Sequence, residues 1–489
     1  MSLNNFVKSV QDIMRNDAGV NGDAQRIEQM TWILFLKVYD VKEEEWEFNY
    51  DEYKSIIPEE LRWRNWAVDD KSGDALTGEE LLKFVNEELF PKLKDITIDE
   101  DTPLNKVLVK SIFEDSNNFM KDGILLRQVI NKVDELELED YEDRHAFGEI
   151  YEKILKDLQS AGNAGEFYTP RAVTDFMAEM IQPKIGETIA DFACGTGGFL
   201  TSALKILEPQ VNTLEEQEQY NNSIFGIEKK AFPYMLCATN MLLHDIENPN
   251  IIHDNSFNKK VKEYSNDEKY DIVLMNPPYG GSEKKTVQNN FPRDLRSSET
   301  ADLFMSVIMY RLKKNGRAAV ILPDGFLFGT DNIKTNIKTK LMNEFNLHTI
   351  IRLPPSVFSP YTSISTNILF FDNTHKTEET WFYRVDMPEG YKHFSKTKPM
   401  KIEHFNKCKQ WWQNREDIEI DGFYKAKKYT LKEIEELDYN LDQCGIPQIE
   451  EEILPPDELI RNYYQERKQL EEKIDETLDE IKDILGITE

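Results

Sequence analysis

Between about residue 146 and residue 372, short apolar runs alternate with amphipathic stretches, and this order constrains the chain more than any other feature. Ile185–Ala193, Ser223–Ile227, Tyr270–Met275, Arg317–Leu322, Leu347–Leu353 and Ile364–Phe371 are strand-length, and several are rich in β-branched residues. Between them lie AVTDFMAEMI, GFLTSALKIL, YMLCATNMLLHDI and ADLFMSVIMYRLKKNG, which read as helices. Such alternation predicts an α/β fold with a mainly parallel, doubly wound sheet. Ligands of such sheets bind in loops at the carboxyl ends of the strands, near the point where strand order reverses, so the chemistry is expected there.

The flanks differ. Residues before 146 read mainly as helix: a dense apolar run from Met30 to Val38 precedes acidic residues, and a second candidate runs from Ile124 through Val133 to Leu138. Between them, Ser72-Gly73 breaks the pattern and Thr77 before Glu79-Glu80 signals a helix start. After Ile446-Pro447 and Leu454-Pro455-Pro456, the apolar residues Leu470, Ile474, Leu478, Ile481 and Leu485 recur at spacings of 4, 4, 3 and 4. That is one stripe on a long helix, too narrow for a globular core, so it packs on another helix of this chain or of a partner. The expected organisation is a helical domain at 1–145, a catalytic domain at 146–435 and a helical tail at 436–489.

The 489 residues carry 90 acidic and 59 basic side chains, a net charge of −31 that by itself argues against nucleic acid. The charge is uneven, however: residues 1–150 sum to −17, 151–250 to −7, 251–430 to +6 and 431–489 to −13. A mildly basic block inside an acidic chain is a candidate polyanion-facing surface. With 40% hydrophobic and 11% aromatic residues, global disorder is excluded. Cys194, Cys237, Cys408 and Cys444 are scattered without a CxxC pair, so neither a disulfide framework nor a metal site is expected. No stretch reaches the ~18 apolar residues of a membrane helix, and MSLNNFVKSVQD lacks a signal peptide's apolar core; the expected location is cytoplasmic.

Four motifs carry chemistry. DFACGTGGFL, Asp191–Leu200, places Gly195, Gly197 and Gly198 between a strand and a helix, where the backbone can turn tightly and approach a ligand. It does not fit the GxxxxGK[ST] phosphate loop, which occurs nowhere in the chain. About thirty residues later, IFGIEKK sets Glu228 at a strand end, suited to accept from both hydroxyls of a ribose. IIHDNSF sets Asp254 at a third strand end, where it either accepts from the exocyclic amine of the cofactor's adenine or serves as an ordinary turn residue. The most specific motif is YDIVLMNPPYG, a buried strand running into Asn276-Pro277-Pro278-Tyr279. Two prolines force an extended turn whose carbonyls are bare acceptors. An amide oxygen beside a proline carbonyl suits an –NH2 group, and Tyr279 offers a face for a planar ring.

These residues together resemble the S-adenosylmethionine-dependent amino-methyltransferases that act on DNA adenine. AGNAGEFYTPR, ahead of the glycine loop, resembles the GxFYTP element that closes over the methionine end of the cofactor. With the helical domain before it and the long helix after it, the chain resembles the modification subunit of type I restriction–modification systems. The resemblance implies a Rossmann-like methyltransferase sheet. Carried over residue by residue, it implies cofactor contacts at Glu166, Phe167, Tyr168, Thr169, Pro170, Arg171, Asp191, Ala193, Cys194, Gly195, Thr196, Gly197, Gly198, Glu228 and Asp254, and catalytic roles for Asn276, Pro277, Pro278 and Tyr279. One departure is Phe192, which stands where the family usually has proline. It is expected to leave cofactor binding intact, because the contacts are the Asp191 side chain and loop backbone.

The implied reaction is methylation of adenine N6. Accepting the two N6 hydrogens on the Asn276 side-chain oxygen and the Pro277 carbonyl localises a lone pair otherwise delocalised into the ring, with no covalent intermediate. Methylation at cytosine C5 would need a nucleophilic cysteine, which in the family of such enzymes follows a proline, and none of the four cysteines here does. The base must leave the stack, and Tyr279, with Phe358 or Tyr361, is a candidate to hold it, Phe358 being read chiefly as core. About seventy residues between Phe371 and the acidic tail are too few for a recognition domain of ~100–150 residues, so target reading is expected on another polypeptide. The resemblance implies as partners double-stranded DNA, a specificity subunit, a second copy of this chain and a restriction subunit. The competing readings are a self-sufficient adenine methyltransferase, a methyltransferase of protein glutamine or RNA, and a non-catalytic scaffold.

Overall fold

The structure, a computed structural model, describes residues 3–69, 73–99, 102, 104–138, 148, 151, 168–395, 397–445 and 456–485. The chain divides into two compact units, Met1–Gly445 and Ile446–Glu489.

The first unit is organised by a ten-stranded sheet: β1 Ile189–Asp191, β2 Ile224–Glu228, β3 Ile251–His253, β4 Tyr270–Met275, β5 Leu312–Pro323, β6 Asn346–Arg352, β7 Thr366–Asp372, β8 Glu379–Arg384, β9 Ile418–Ile420 and β10 Phe423–Thr430. Their spatial order is β3-β2-β1-β4-β5-β7-β6-β8-β10-β9. The strands from β3 to β5 are parallel. Strand order reverses between β1 and β4, so the loops after these two strands open at the switch point. Beyond β5 the sheet is mixed rather than parallel: β7 lies antiparallel between β5 and β6, β8 is parallel to β6, and the β9–β10 hairpin closes the edge. The chain passes from β6 to β7 without a helix, and only a crossover of helix length lets successive strands run parallel.

Period-2 alternation divides the strands between two cores. Ile272 and Leu274 of β4 join the core that holds the helices Arg171–Ile181, Gly198–Leu207 and Ala231–Leu243. Val273 and Met275 join the opposite core, with Thr300–Arg311 and Asn332–Glu344. All four side chains are fully buried, each stabilising the fold by roughly 1.5–3 kcal/mol. This double burial explains why the central strands read as unbroken apolar runs.

The helices before the sheet share the first of these cores. The longest, Gly22–Asn49, buries Trp32, Phe35 and Tyr39, and Asp122 caps Gly123–Asp134 by accepting from the Ile124 and Leu125 amides at 2.8 and 3.1 Å. Thr77 precedes the helix Gly78–Lys83 as anticipated, without a side-chain capping bond. This layer is tied to helix Ala231–Leu243 by Tyr151 donating to the Leu236 carbonyl at 3.1 Å, and to the turn that follows the helix by the Lys42–Asp245 ion pair and by Tyr50 donating to Glu247 at 3.1 Å.

The second unit contains one 30-residue helix, Pro456–Leu485, on which Leu470, Ile474 and Leu478 are 60%, 57% and 48% exposed. No helix among the described residues is long and apolar enough to cross a membrane.

Candidate active site

The loop after β1 is shaped by glycine. Gly195 and Gly197 have φ of 53° and 81°, in the left-handed region. A Cβ on Gly197 would lie 2.9 Å from Cys237 Sγ, and one on Gly198 would lie 2.5 Å from Arg171 Nη1. The loop thereby packs directly on two neighbouring helices and leaves its other side open. Asp191, the last residue of β1, is 1% exposed and accepts from the Ala193 amide at 3.0 Å. Burial pushes its carboxyl up to about 8. Glu228 ends β2 and fastens the two loops together, accepting from Gly195 N at 2.9 Å through Oε2 and from Lys230 N at 2.8 Å through Oε1. Its carboxyl is also raised by burial. Two desolvated carboxylates thus face one space, which suits a ligand bearing positive charge and hydroxyl groups.

Phe192 is 1% exposed and packs against Phe225 and Tyr270, with the Arg311 guanidinium 4.4 Å from its ring centre. Its carbonyl accepts from Ser256 Oγ. The residue that departs from the family pattern is therefore the loop's anchor in the core behind it.

After β3, Asp254 accepts from its neighbour Asn255 N at 2.7 Å and from Asn258 Nδ2 at 2.6 Å. It closes its own turn and does not line the cavity; Asn255, Ser256 and Phe257 do. After β4, Asn276 stands between two hydroxyls: Nδ2 donates to Thr169 Oγ1 at 3.0 Å, and Oδ1 accepts from the Tyr279 phenol. Burial holds that phenol protonated, far above its ordinary range. Thr300 Oγ1 donates to the Pro278 carbonyl at 2.8 Å, bracing the diproline turn against helix Thr300–Arg311.

These loops enclose a cavity of about 300 Å³. Of the anticipated residues, Thr169, Asp191, Ala193, Cys194, Gly195, Thr196, Gly198, Glu228, Asn276, Pro278 and Tyr279 line it. A second cavity of about 40 Å³ also touches Asn276, Pro278 and Tyr279 and is walled by Tyr168, Pro277, Phe358, Tyr361 and Thr362. Phe358 is 3% exposed and meets Tyr279 edge-to-face at 6.5 Å, whereas Tyr361 is 41% exposed at the mouth. Pro170 and Arg171 begin the helix behind Gly198, and Gly197 faces Cys237; none of the three lines either cavity. Glu166 and Phe167 lie outside the described residues. Sequence reading missed Asn255, Ser256 and Phe257, one step beyond the acidic residue it selected. It also missed Thr300 and Phe304, which sit on a helix whose apolar composition signals only core.

The N-6 DNA Methylase family matches residues 142–452, and the HsdM N-terminal domain matches residues 3–133. The chain is 48% identical to the type I restriction enzyme EcoEI methylase subunit of Escherichia coli, over 99% of this chain and 98% of that protein. Among solved structures, it is similar to a modification subunit of a putative type I restriction enzyme from Vibrio vulnificus YJ016, with 40% identity, a TM-score of 0.77 and coverage of 88% of this chain and 92% of that one. It is also similar to a chain from a structural study of complex assembly and conformational transition of the type I R-M system, with 32% identity, a TM-score of 0.81 and coverage of 99% and 98%. The chain belongs to the N-6 DNA methylase family, among the methylase subunits of type I restriction enzymes.

Proposed function

We propose that this chain is the modification subunit of a type I restriction–modification complex, transferring a methyl group from S-adenosylmethionine to N6 of a flipped-out adenine in duplex DNA. A separate specificity subunit reads the target, in an assembly with two copies of this chain. In this reading residues 1–145 dock, 146–435 carry the chemistry and 436–489 contact the partner.

The observation that carries the proposal is the position of Asn276-Pro277-Pro278-Tyr279 between two cavities, a large one with buried carboxylates and a small one with aromatic walls. The large cavity fits S-adenosylmethionine by chemistry: Glu228 suits ribose hydroxyls, Asp191 and the open face of the glycine loop suit a cationic ligand, and Phe192 and Phe257 offer apolar walls. That ligand supplies an electrophilic methyl group. Asn276 Oδ1 and the Pro277 carbonyl accept the two hydrogens of the target amine and localise its lone pair, while Tyr279 stacks on the base. Acceptors already fixed in place need no reorganisation during transfer. Tyr361, 41% exposed beside the small cavity, is placed to meet a base arriving from outside, and the net +6 of residues 251–430 suits a neighbouring phosphate backbone.

Tritiated S-adenosylmethionine incubated with duplex DNA, with and without the co-transcribed specificity partner, tests this reading. Label should enter DNA only with the partner present. Methylation by the isolated chain would instead favour a self-sufficient enzyme, and label entering protein or RNA would contradict the substrate.

A further inference from the structure

We infer that Thr169 is a positioning residue, holding the Asn276 amide in the one orientation that presents an acceptor to the target amine. This rests on the methyl-transfer reading above. The two ends of an asparagine amide have nearly the same shape, so backbone packing does not choose between them. Turned the wrong way, Asn276 would meet an amino group with its own –NH2, donor against donor, and the chemistry would stop. The choice falls to the hydroxyls on either side: Thr169 Oγ1, 3.0 Å from Nδ2, and the Tyr279 phenol at Oδ1.

A hydroxyl can donate or accept, but the two here are unequal. A phenol is much more acidic than an aliphatic alcohol, so Tyr279 is the better donor and Thr169 the better acceptor. Their pairing therefore favours Nδ2 toward Thr169 and Oδ1 toward Tyr279. The partners also differ in what the reaction does to them. An incoming amine takes Oδ1, the atom that Tyr279 holds, and shares or displaces that contact. Thr169 holds the other end and keeps its bond throughout. It belongs to the segment leading into helix Arg171–Ile181, whose Arg171 packs against Gly198 of the glycine loop. Thr169 also lines the large cavity. The orientation of Asn276 is thus set from an element outside its own strand and adjacent to the ligand space.

The test uses the full chain assembled with its specificity partner, comparing Thr169→Val, which keeps the shape without the hydroxyl, with Thr169→Ser, which keeps the hydroxyl; Thr169→Ala replaces the valine variant if that fails to fold. Because small displacements of a reacting group cost up to about 10²-fold, kcat measured at saturating S-adenosylmethionine should fall at least about tenfold in Thr169→Val, whatever the change in cofactor Kd, and Thr169→Ser should recover most of kcat. A kcat left intact in Thr169→Val, a loss of activity that saturating cofactor restores, or no rescue by serine would each overturn the assignment. Failure of the wild-type complex to methylate DNA would instead strike the underlying functional reading.

Discussion

The β1–β4 region and the Pro456–Leu485 helix use apolar residues in opposite ways. In the sheet, Ile272, Val273, Leu274 and Met275 are fully buried, and what they stabilise is a pair of loops holding polar groups around a cavity. On the tail, Leu470, Ile474 and Leu478 lie 48–60% exposed along one stripe. The first arrangement completes its own core and serves a small molecule. The second has the spacing of a helix-packing seam, and its value depends on what covers it.

If that contrast holds, damage to the two regions separates cleanly. Deleting residues 457–489 should abolish stable assembly with the specificity partner while the remaining chain still binds S-adenosylmethionine; size-exclusion chromatography of the mixture, with calorimetry on the truncated chain, checks both halves. Wild-type assembly by the truncated chain would remove the tail from the interface. Next in size is Gly197→Ala. A Cβ there meets Cys237 Sγ at 2.9 Å and Met241 Cε at 3.0 Å on a left-handed backbone, so strain of about 1–2 kcal/mol and overpacking of about 1–3 kcal/mol should lower the melting temperature and weaken ligand binding together. A double change of Leu470 and Ile474 to glutamate should do the reverse: stability of the isolated chain within about 0.5 kcal/mol of wild type, and assembly lost.

The smallest effect is one of pH. Burial raises the Asp191 carboxyl from 3.8 to about 8, so the penalty of ionising it lowers the stability of the ligand-free protein progressively as pH rises from 3.8 toward 8. A cationic ligand favours the ionised carboxylate. Its stabilisation of the protein, read by thermal melting, should therefore be larger at pH 8 than at pH 6, and Asp191→Asn should flatten the difference. A ligand shift that grows as pH falls would contradict the role given to Asp191.

Much of the site was legible because strand ends announce themselves. Asp191, Glu228 and Asn276 each stand where a buried apolar run stops, and the glycines after Asp191 mark a tight turn into a helix. Asp254 stood at a strand end too, but an aspartate followed by asparagine, serine and phenylalanine readily bonds its own turn, and direction of a side chain is not written in spacing. Thr169 was visible only as part of a motif, since its contact with Asn276 spans 107 positions. The outer sheet was missed for a related reason: Glu379–Arg384 and Phe423–Thr430 mix aromatics with charged residues, Glu379 and Arg384 flanking Trp381-Phe382-Tyr383 in one and Lys425, Ala426, Lys427 and Lys428 interrupting the other, so neither reads as an unbroken aliphatic run.

Everything turns on Asn276, and Asn276→Ala in the assembled complex tests it most directly. Nucleosides from target duplex are to be separated after reaction with S-adenosylmethionine and N6-methyladenine measured by mass spectrometry, with cofactor affinity measured on the same protein. The account predicts N6-methyladenine with the wild-type complex and at least about a 10²-fold loss with Asn276→Ala at unchanged cofactor affinity, as removal of a transition-state acceptor requires. Methylation persisting in the variant, or the methyl group appearing on another atom, would contradict it.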